Sequence, residues 1–180
     1  MKKMILAALF VCGSLVAQKN SLSLTTTFSQ PTDLGFTYER FLKGKEGEDK
    51  NSRLFSAGLS GMTYKVQDYE FSGSGFYVAS GSRSYFNNTA HSGFYLENYL
   101  IYSSLSFDDV DWPASIKGKY SYFSMINPTA GYKFMIGKNL SINPYAGMNW
   151  KWEIKGTEDI DNKEVDNLVF RLGLSIGYQF

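Results

Sequence analysis

The C-terminal stretch Leu168–Phe180, LVFRLGLSIGYQF, decides the fold. Every second residue from Leu168 onward is large and apolar, and most of the residues between them are small or polar. Because successive side chains of a β-strand point to opposite faces of a sheet, this stretch predicts a strand with one apolar face and one polar face. It is longer than the roughly 5–6 residues of a typical soluble strand. It also exceeds the about 9–11 residues that a tilted strand needs to cross a bilayer.

The same alternation recurs upstream, most clearly in segments 120–136 and 140–154. Weaker versions precede them, separated by turn residues such as Gly, Pro and Asn. The connections vary in length: the first, at Gln30–Asp33, is short, and the second, at Leu42–Ser52, is long. The pattern predicts an all-β chain that forms an eight-stranded antiparallel up-and-down transmembrane β-barrel. The predicted strands are 20–28, 34–42, 53–64, 72–86, 93–107, 120–136, 140–154 and 166–180.

Composition narrows the class of protein. The chain of 180 residues is 43% hydrophobic, but its mean hydropathy is −0.24, so apolar residues are interspersed with polar ones. No run approaches the roughly 20 apolar residues of a membrane-spanning helix, which excludes a helical membrane bundle. Aromatic residues make up 17% of the chain, a composition that favours strands over helices. The net charge of +1 and the lack of a basic tract predict no nucleic-acid partner.

The first segment is predicted to be a secretory signal peptide. Lys2 and Lys3 precede an apolar run from Met4 to Cys12, and Ala17 supplies a small residue at the expected cleavage site. We therefore divide the chain into a signal peptide at 1–17 and a barrel domain at 18–180. Since Cys12 is the single cysteine, the mature chain can form no disulfide and no thiolate metal site.

The content of the polar face predicts which side of the barrel meets water. In the last three predicted strands that face carries Gly, Ser and Asn with a few charges, whereas a soluble exterior would be rich in Lys and Glu. We therefore expect the apolar side chains to face lipid and the polar ones to fill the lumen. Eight strands leave an interior just wide enough for side chains, so buried charges there must be paired. The predicted lumen charges are Glu39, Arg83, Glu97, Lys133, Lys151, Glu153 and Arg171.

Aromatic side chains gather toward the ends of the predicted strands. Amphipathic rings at the level of the lipid headgroups form girdles around membrane barrels. The alternative is ordinary packing within a sheet, which also favours aromatic residues. The predicted girdle contains Tyr120, Tyr122, Tyr132, Phe134, Trp150, Trp152, Tyr178 and Phe180.

Three segments carry a resemblance to a known family: LGFTYERFL at 34–42, GFYLENYLIYSSLSF at 93–107 and RLGLSIGYQF at 171–180. With the signal peptide, they resemble the small outer-membrane β-barrels of the OmpA/OmpX-like family. The resemblance covers the whole mature chain as a pattern and not as a strict motif. It implies a porin-like barrel in the outer membrane of a Gram-negative cell envelope. It also implies that Phe180, with Tyr178, is the recognition signal for the barrel-assembly machinery.

The sequence contains few of the residues that catalysis needs. His91 is the single histidine, so a Ser–His–acid triad would have to use it, and nothing near it resembles a nucleophile elbow. Two acidic loops, around Asp108–Asp111 and Glu158–Asp166, lack the spacing of a calcium loop and are predicted to be solvated. We expect no catalytic residues, no cofactor and no metal.

The expected function is that of a monomeric, integral outer-membrane protein with a structural or surface-interaction role, surrounded by membrane lipids. Three alternatives stay open. The first is a secreted, lipocalin-like soluble barrel that holds a small apolar ligand. The second is a narrow, gated channel. The third is an embedded lipid-modifying or proteolytic enzyme that depends on His91.

Overall fold

A computed structural model describes residues 20–43, 50–66, 69–86, 92–111, 114–160 and 165–180. The signal peptide predicted at 1–17 and the candidate His91 lie outside the described residues. Within those ranges every regular element is a β-strand. None of the described segments forms a helix with the length and apolar character needed to span a membrane.

The strands follow the predicted segments closely, and in most cases extend beyond them. The prediction of a loop at Asp108–Asp111 was wrong, because these residues continue β5 and pair with β6. All strand pairs are antiparallel. The nine strands seen in the described residues are β1 Asn20–Phe28, β2 Thr32–Leu42, β3 Asn51–Val66, β4 Tyr69–Tyr85, β5 Gly93–Asp111, β6 Ala114–Ile126, β7 Thr129–Ile136, β8 Leu140–Glu158 and β9 Leu168–Gln179.

The sheet closes into a ring of eight positions. Neighbouring strands in the chain pair with each other, except β6 with β7, and β9 returns to pair with β1 from Ser21↔Gln179 to Phe28↔Leu172. The strands β6 and β7 share one position, since both lie between β5 and β8. The predicted eight-stranded antiparallel up-and-down barrel is therefore confirmed, with one strand divided into two parts.

The division falls at Asn127 and Pro128, inside the segment predicted as one strand. Proline has no N–H to donate to the ladder, so a regular strand cannot continue through it. Side-chain amides bridge the gap instead. Asn127 accepts from the N–H of Tyr99 (2.7 Å) and donates to its carbonyl (2.8 Å). The side chain of Asn98 accepts from the N–H of Asn127 (2.9 Å) and donates to the carbonyl of Met125 (2.8 Å).

The outward face is apolar, as predicted. In β9, alternate residues from Leu168 to Ile176 point away from the barrel, and Phe170 is 79% exposed. Ser175 and Gln179 have the opposite parity; their side chains point inward and are buried. Because the two faces alternate with the pleat, this single register sets the orientation of the whole strand.

The two ends of the barrel differ. We call the end that holds Asn20 and Phe180 the terminal end and the opposite end the loop end. The strands β1, β2 and β9 have 9, 11 and 12 residues, whereas β3, β4, β5 and β8 have 16, 17, 19 and 19. On β3, the pairing with β2 ends at Gly61, opposite Thr32, while its pairing with β4 continues to Val66. The long strands therefore extend past the short ones at the loop end.

Candidate functional site

The lumen near the terminal end is crossed by a network of four buried charges, which we call the ion-pair network. Arg83 binds Glu97 through both Nη2 (2.7 Å) and Nε (2.8 Å). Its Nη1 lies 3.2 Å from Glu39 Oε2, and Lys133 Nζ lies 3.0 Å from the same oxygen. The four side chains come from β2, β4, β5 and β7. Two cations thus meet two carboxylates, so the network is electrically balanced.

Further contacts satisfy the polar atoms of the network. The second oxygen of Glu39 accepts hydrogen bonds from Ser52 Oγ (2.7 Å) and Tyr85 Oη (2.8 Å). The Arg83 guanidinium carbon lies 4.0 Å from the centroid of the Tyr95 ring, at the distance of a cation–π contact. An ion pair out of water offsets the loss of hydration only when its geometry is good and its remaining polar atoms are bonded. Glu39 meets both conditions, because each of its two oxygens accepts at least two contacts.

The other three predicted lumen charges stay outside the ion-pair network. Lys151 is buried, and its Nζ donates to the carbonyl of Gln30 (3.2 Å). Glu153 is half-buried and accepts from Tyr120 Oη (2.7 Å). Arg171 is half-buried and lines a cavity near the middle of the lumen. The seven charges predicted for the interior therefore divide into one network of four and three separate groups.

That cavity has a volume of about 30 Å³ and is lined mainly by polar side chains, among them Asp33, Tyr77, Tyr145 and Arg171. A cavity of this volume has room for about two water molecules. It lies next to the ion-pair network, because Arg83 and Glu97 contribute to its wall.

Hydroxyl groups form a chain along one wall of this cavity, and the sequence reasoning did not identify them. The chain runs from Ser175 on β9 to Thr25 on β1 (2.9 Å), then to Thr37 on β2 (3.1 Å). It continues to Ser56 on β3 (3.0 Å) and to Tyr77 on β4 (3.1 Å). These residues lie on the same inward-facing side of their strands as the predicted lumen charges. The alternation of the sequence could therefore have identified them.

Toward the loop end the interior holds a large group of apolar side chains, next to buried polar ones such as Asp33 and Lys151. Phe107 and Tyr64 pack with ring centroids 5.8 Å apart. Ile160 and Val165, from the connection between β8 and β9, are buried in the same cluster. We call this set the apolar cluster; it comprises Leu54, Met62, Tyr64, Phe71, Tyr99, Ile101, Leu105, Phe107, Ile116, Tyr120, Tyr122, Ile160 and Val165.

Solved structures share this architecture. The N-terminal β-barrel domain of Pseudomonas aeruginosa OprF matches with a TM-score of 0.54 and 12% identity, over 91% of this chain and 98% of that chain. Neisserial surface protein A matches with a TM-score of 0.54 and 9% identity, over 89% of this chain and 94% of that chain. This chain has the fold of the small outer-membrane β-barrels. No protein-family model and no curated protein matches it.

In this outer-membrane-type barrel, most of the predicted girdle residues point outward. The rings of Tyr132 and Phe134 lie 4.4 Å apart near the terminal end. The rings of Trp150 and Trp152 lie 6.4 Å apart on β8, toward the loop end. Tyr132, Phe134 and Trp150 are exposed, and Trp152 is half-buried.

The prediction was wrong for Tyr120 and Tyr122. Both side chains are buried inside the barrel and belong to the apolar cluster. The physical reason is a β-bulge in β6, where the pairing with β8 shifts between Phe123 and Ile126. Met125 and Ile126 both point outward, which reverses the parity for the rest of the segment. If strict alternation is assumed across the bulge, the residues on one side of it are assigned to the wrong face of the sheet.

The C-terminal residues lie at the seam of the barrel. The N–H of Phe180 donates to the carbonyl of Asn20 (2.9 Å), and the N–H of Asn20 donates to the carbonyl of Phe180 (3.1 Å). Tyr178 pairs with Leu22 on β1 and Leu140 on β8. These contacts close the ring between the first and last strands. Among the described residues, no three side chains of His, Cys, Asp or Glu gather as they would around a metal ion.

Proposed function

We propose that the mature chain is an integral outer-membrane β-barrel with a structural or surface-interaction role, whose lumen is closed by its own side chains. The observation that carries this proposal is the ion-pair network, which links β2, β4, β5 and β7 across the interior. The apolar cluster fills the interior toward the loop end. An ion that entered the lumen would meet buried, paired charges at the terminal end. Toward the loop end it would meet aromatic side chains and, over the rings of Tyr120 and Tyr122, the buried ammonium group of Lys151.

Membrane lipid is the environment that suits the outer face. Large apolar side chains such as Leu59 and Phe170, 69% and 79% exposed, point away from the barrel. In water they would form an apolar surface larger than the few hundred Å² that soluble monomers usually expose. In hydrocarbon they are stable, and the closed ring of backbone pairs leaves no unpaired strand edge there. This argument favours a membrane barrel over the soluble, lipocalin-like alternative.

Assembly and partners follow from the same proposal. Phe180, at the end of the last strand, would be read by the barrel-assembly machinery during export, and lipids of the outer membrane would surround a monomer. The external connections would make any contact with other molecules. We also propose that the protein is not an enzyme. The buried carboxylates Glu39 and Glu97 are bound to Arg83 and Lys133, and the buried carboxylate of Asp33 accepts a hydrogen bond from Ser60.

Planar-bilayer recording of the purified, folded protein tests the closed lumen. We expect no steady conductance from the wild type. Reproducible single-channel steps would contradict a closed lumen and support the narrow-channel alternative. Fractionation of cells that express the full chain tests the location. The heat-modifiable band of a folded barrel should appear in the outer-membrane fraction, and recovery of folded protein in detergent-free buffer would support the soluble alternative.

A further inference from the structure

Two arginines lie side by side on the outer face of the barrel. Arg40 on β2 and Arg53 on β3 are direct cross-strand partners, and both side chains are exposed. Directly opposed residues on one face have Cβ atoms about 4.5–5.5 Å apart, and like charges in such a pair repel. The position therefore calls for an anion between or beside the two guanidinium groups.

The described neighbours on this face offer no carboxylate. Glu39 precedes Arg40 in the chain, but it points into the lumen and is committed to the ion-pair network. The cross-strand partners on the far sides of the pair are Asn20 on β1 and Ser82 on β4. The outward neighbours along β2 and β3 are also uncharged: Tyr38, Leu42, Asn51 and Phe55.

The pair lies at the edge of the apolar belt, by which we mean the band of exposed apolar side chains around the outside of the barrel, such as Leu24, Leu59 and Phe170. Toward the loop end, Phe55 is the next outward residue on β3, and Phe36 follows Tyr38 on β2; the two phenylalanines are 53% and 60% exposed. Toward the terminal end, β2 ends at Leu42 and β3 begins at Asn51. Arginine side chains at the edge of a hydrocarbon layer extend their charged heads to the headgroup level.

We propose that Arg40 and Arg53 form a binding site for the phosphate of an anionic glycerophospholipid in the leaflet around the terminal end. A guanidinium group presents paired donors that match two phosphate oxygens, so two adjacent arginines can hold one phosphate from both sides. Ser82 adds a hydroxyl next to Arg53. The acyl chains of the same lipid would lie against the apolar belt above the pair. The inference rests on the proposed membrane location.

The test uses the mature protein folded into vesicles of equal parts phosphatidylcholine and phosphatidylglycerol. Native mass spectrometry after gentle extraction measures how many lipids of each kind remain bound. We expect the wild type to retain phosphatidylglycerol preferentially. The double variant Arg40→Gln/Arg53→Gln should lose about tenfold in this preference, because it removes the charge-assisted hydrogen bonds that the two guanidinium groups would donate to the phosphate. The control Lys43→Gln/Lys138→Gln removes the same charge from exposed positions at the same end and should keep the preference.

Three results would overturn the site: an equal loss in both double variants, equal retention of the two lipids by the wild type, or displacement of the lipid by millimolar inorganic phosphate. The last would mean that the pair binds a free anion. These results leave the membrane location intact. A wild-type protein that stays folded in buffer and does not associate with either vesicle would instead refute the proposed function.

Discussion

Replacing Asn127 with alanine should destabilise the barrel strongly, because this side chain takes the place of the ladder at the break between β6 and β7. Its amide satisfies both the N–H and the carbonyl of Tyr99, and Nδ2 also donates to Ser124 Oγ (3.0 Å). The side chain is fully buried. An unsatisfied buried polar group costs about 1–3 kcal/mol. For the two backbone groups of Tyr99, the expected loss in the free energy of unfolding is about 2–6 kcal/mol.

Urea-induced unfolding in lipid vesicles, followed by tryptophan fluorescence, measures this loss. Asn143→Ala is a matched control, because Asn143 is also an inward-facing, buried asparagine, but its Oδ1 has no hydrogen-bond partner. We expect the control to cost less than half as much as Asn127→Ala. Equal losses in the two variants would show that the amide of Asn127 does not replace the ladder and would refute the reasoning.

Three other predictions test the faces, the network and the seam. Leu172→Arg places a charge on the lipid-facing side and should cost about 2–4 kcal/mol of unfolding free energy if the residue lies near the midplane, as measured in the same urea assay; an unchanged transition would contradict the orientation. Arg83→Met leaves two buried carboxylates with one cation and should cost about 3–5 kcal/mol, seen as loss of the heat-modifiable folded band at a lower temperature. Phe180→Ala keeps the backbone bonds to Asn20, so the purified variant should fold in detergent as the wild type does, whereas the amount assembled in cells should fall; equal amounts in cells would refute a role in assembly.

The number of strands and their orientation could be predicted because both depend on a local property of the chain. Side chains alternate with a period of two wherever the backbone is extended. The apolar face of a run such as Leu168–Ile176 can therefore be identified without knowing which strands it pairs with. The prediction of the girdle was wrong at Tyr120 because the bulge near Met125 interrupts this period. Pro128 indicates from the sequence that the strand is irregular near this point. The position at which the inward and outward faces exchange depends on how β6 pairs with β8.

The sequence by itself determined that the chain forms long amphipathic strands, that the apolar parity faces outward, and that charged residues would share the interior. Only the tertiary structure decided which of those charges meet. Glu39 and Lys133 are 94 residues apart in the chain, and they touch because β2 and β7 enclose the same level of the lumen. The same holds for Arg40 and Arg53, which become neighbours through the register of β2 against β3. Alternation is set residue by residue, whereas pairing depends on the stagger of every strand around the closed ring.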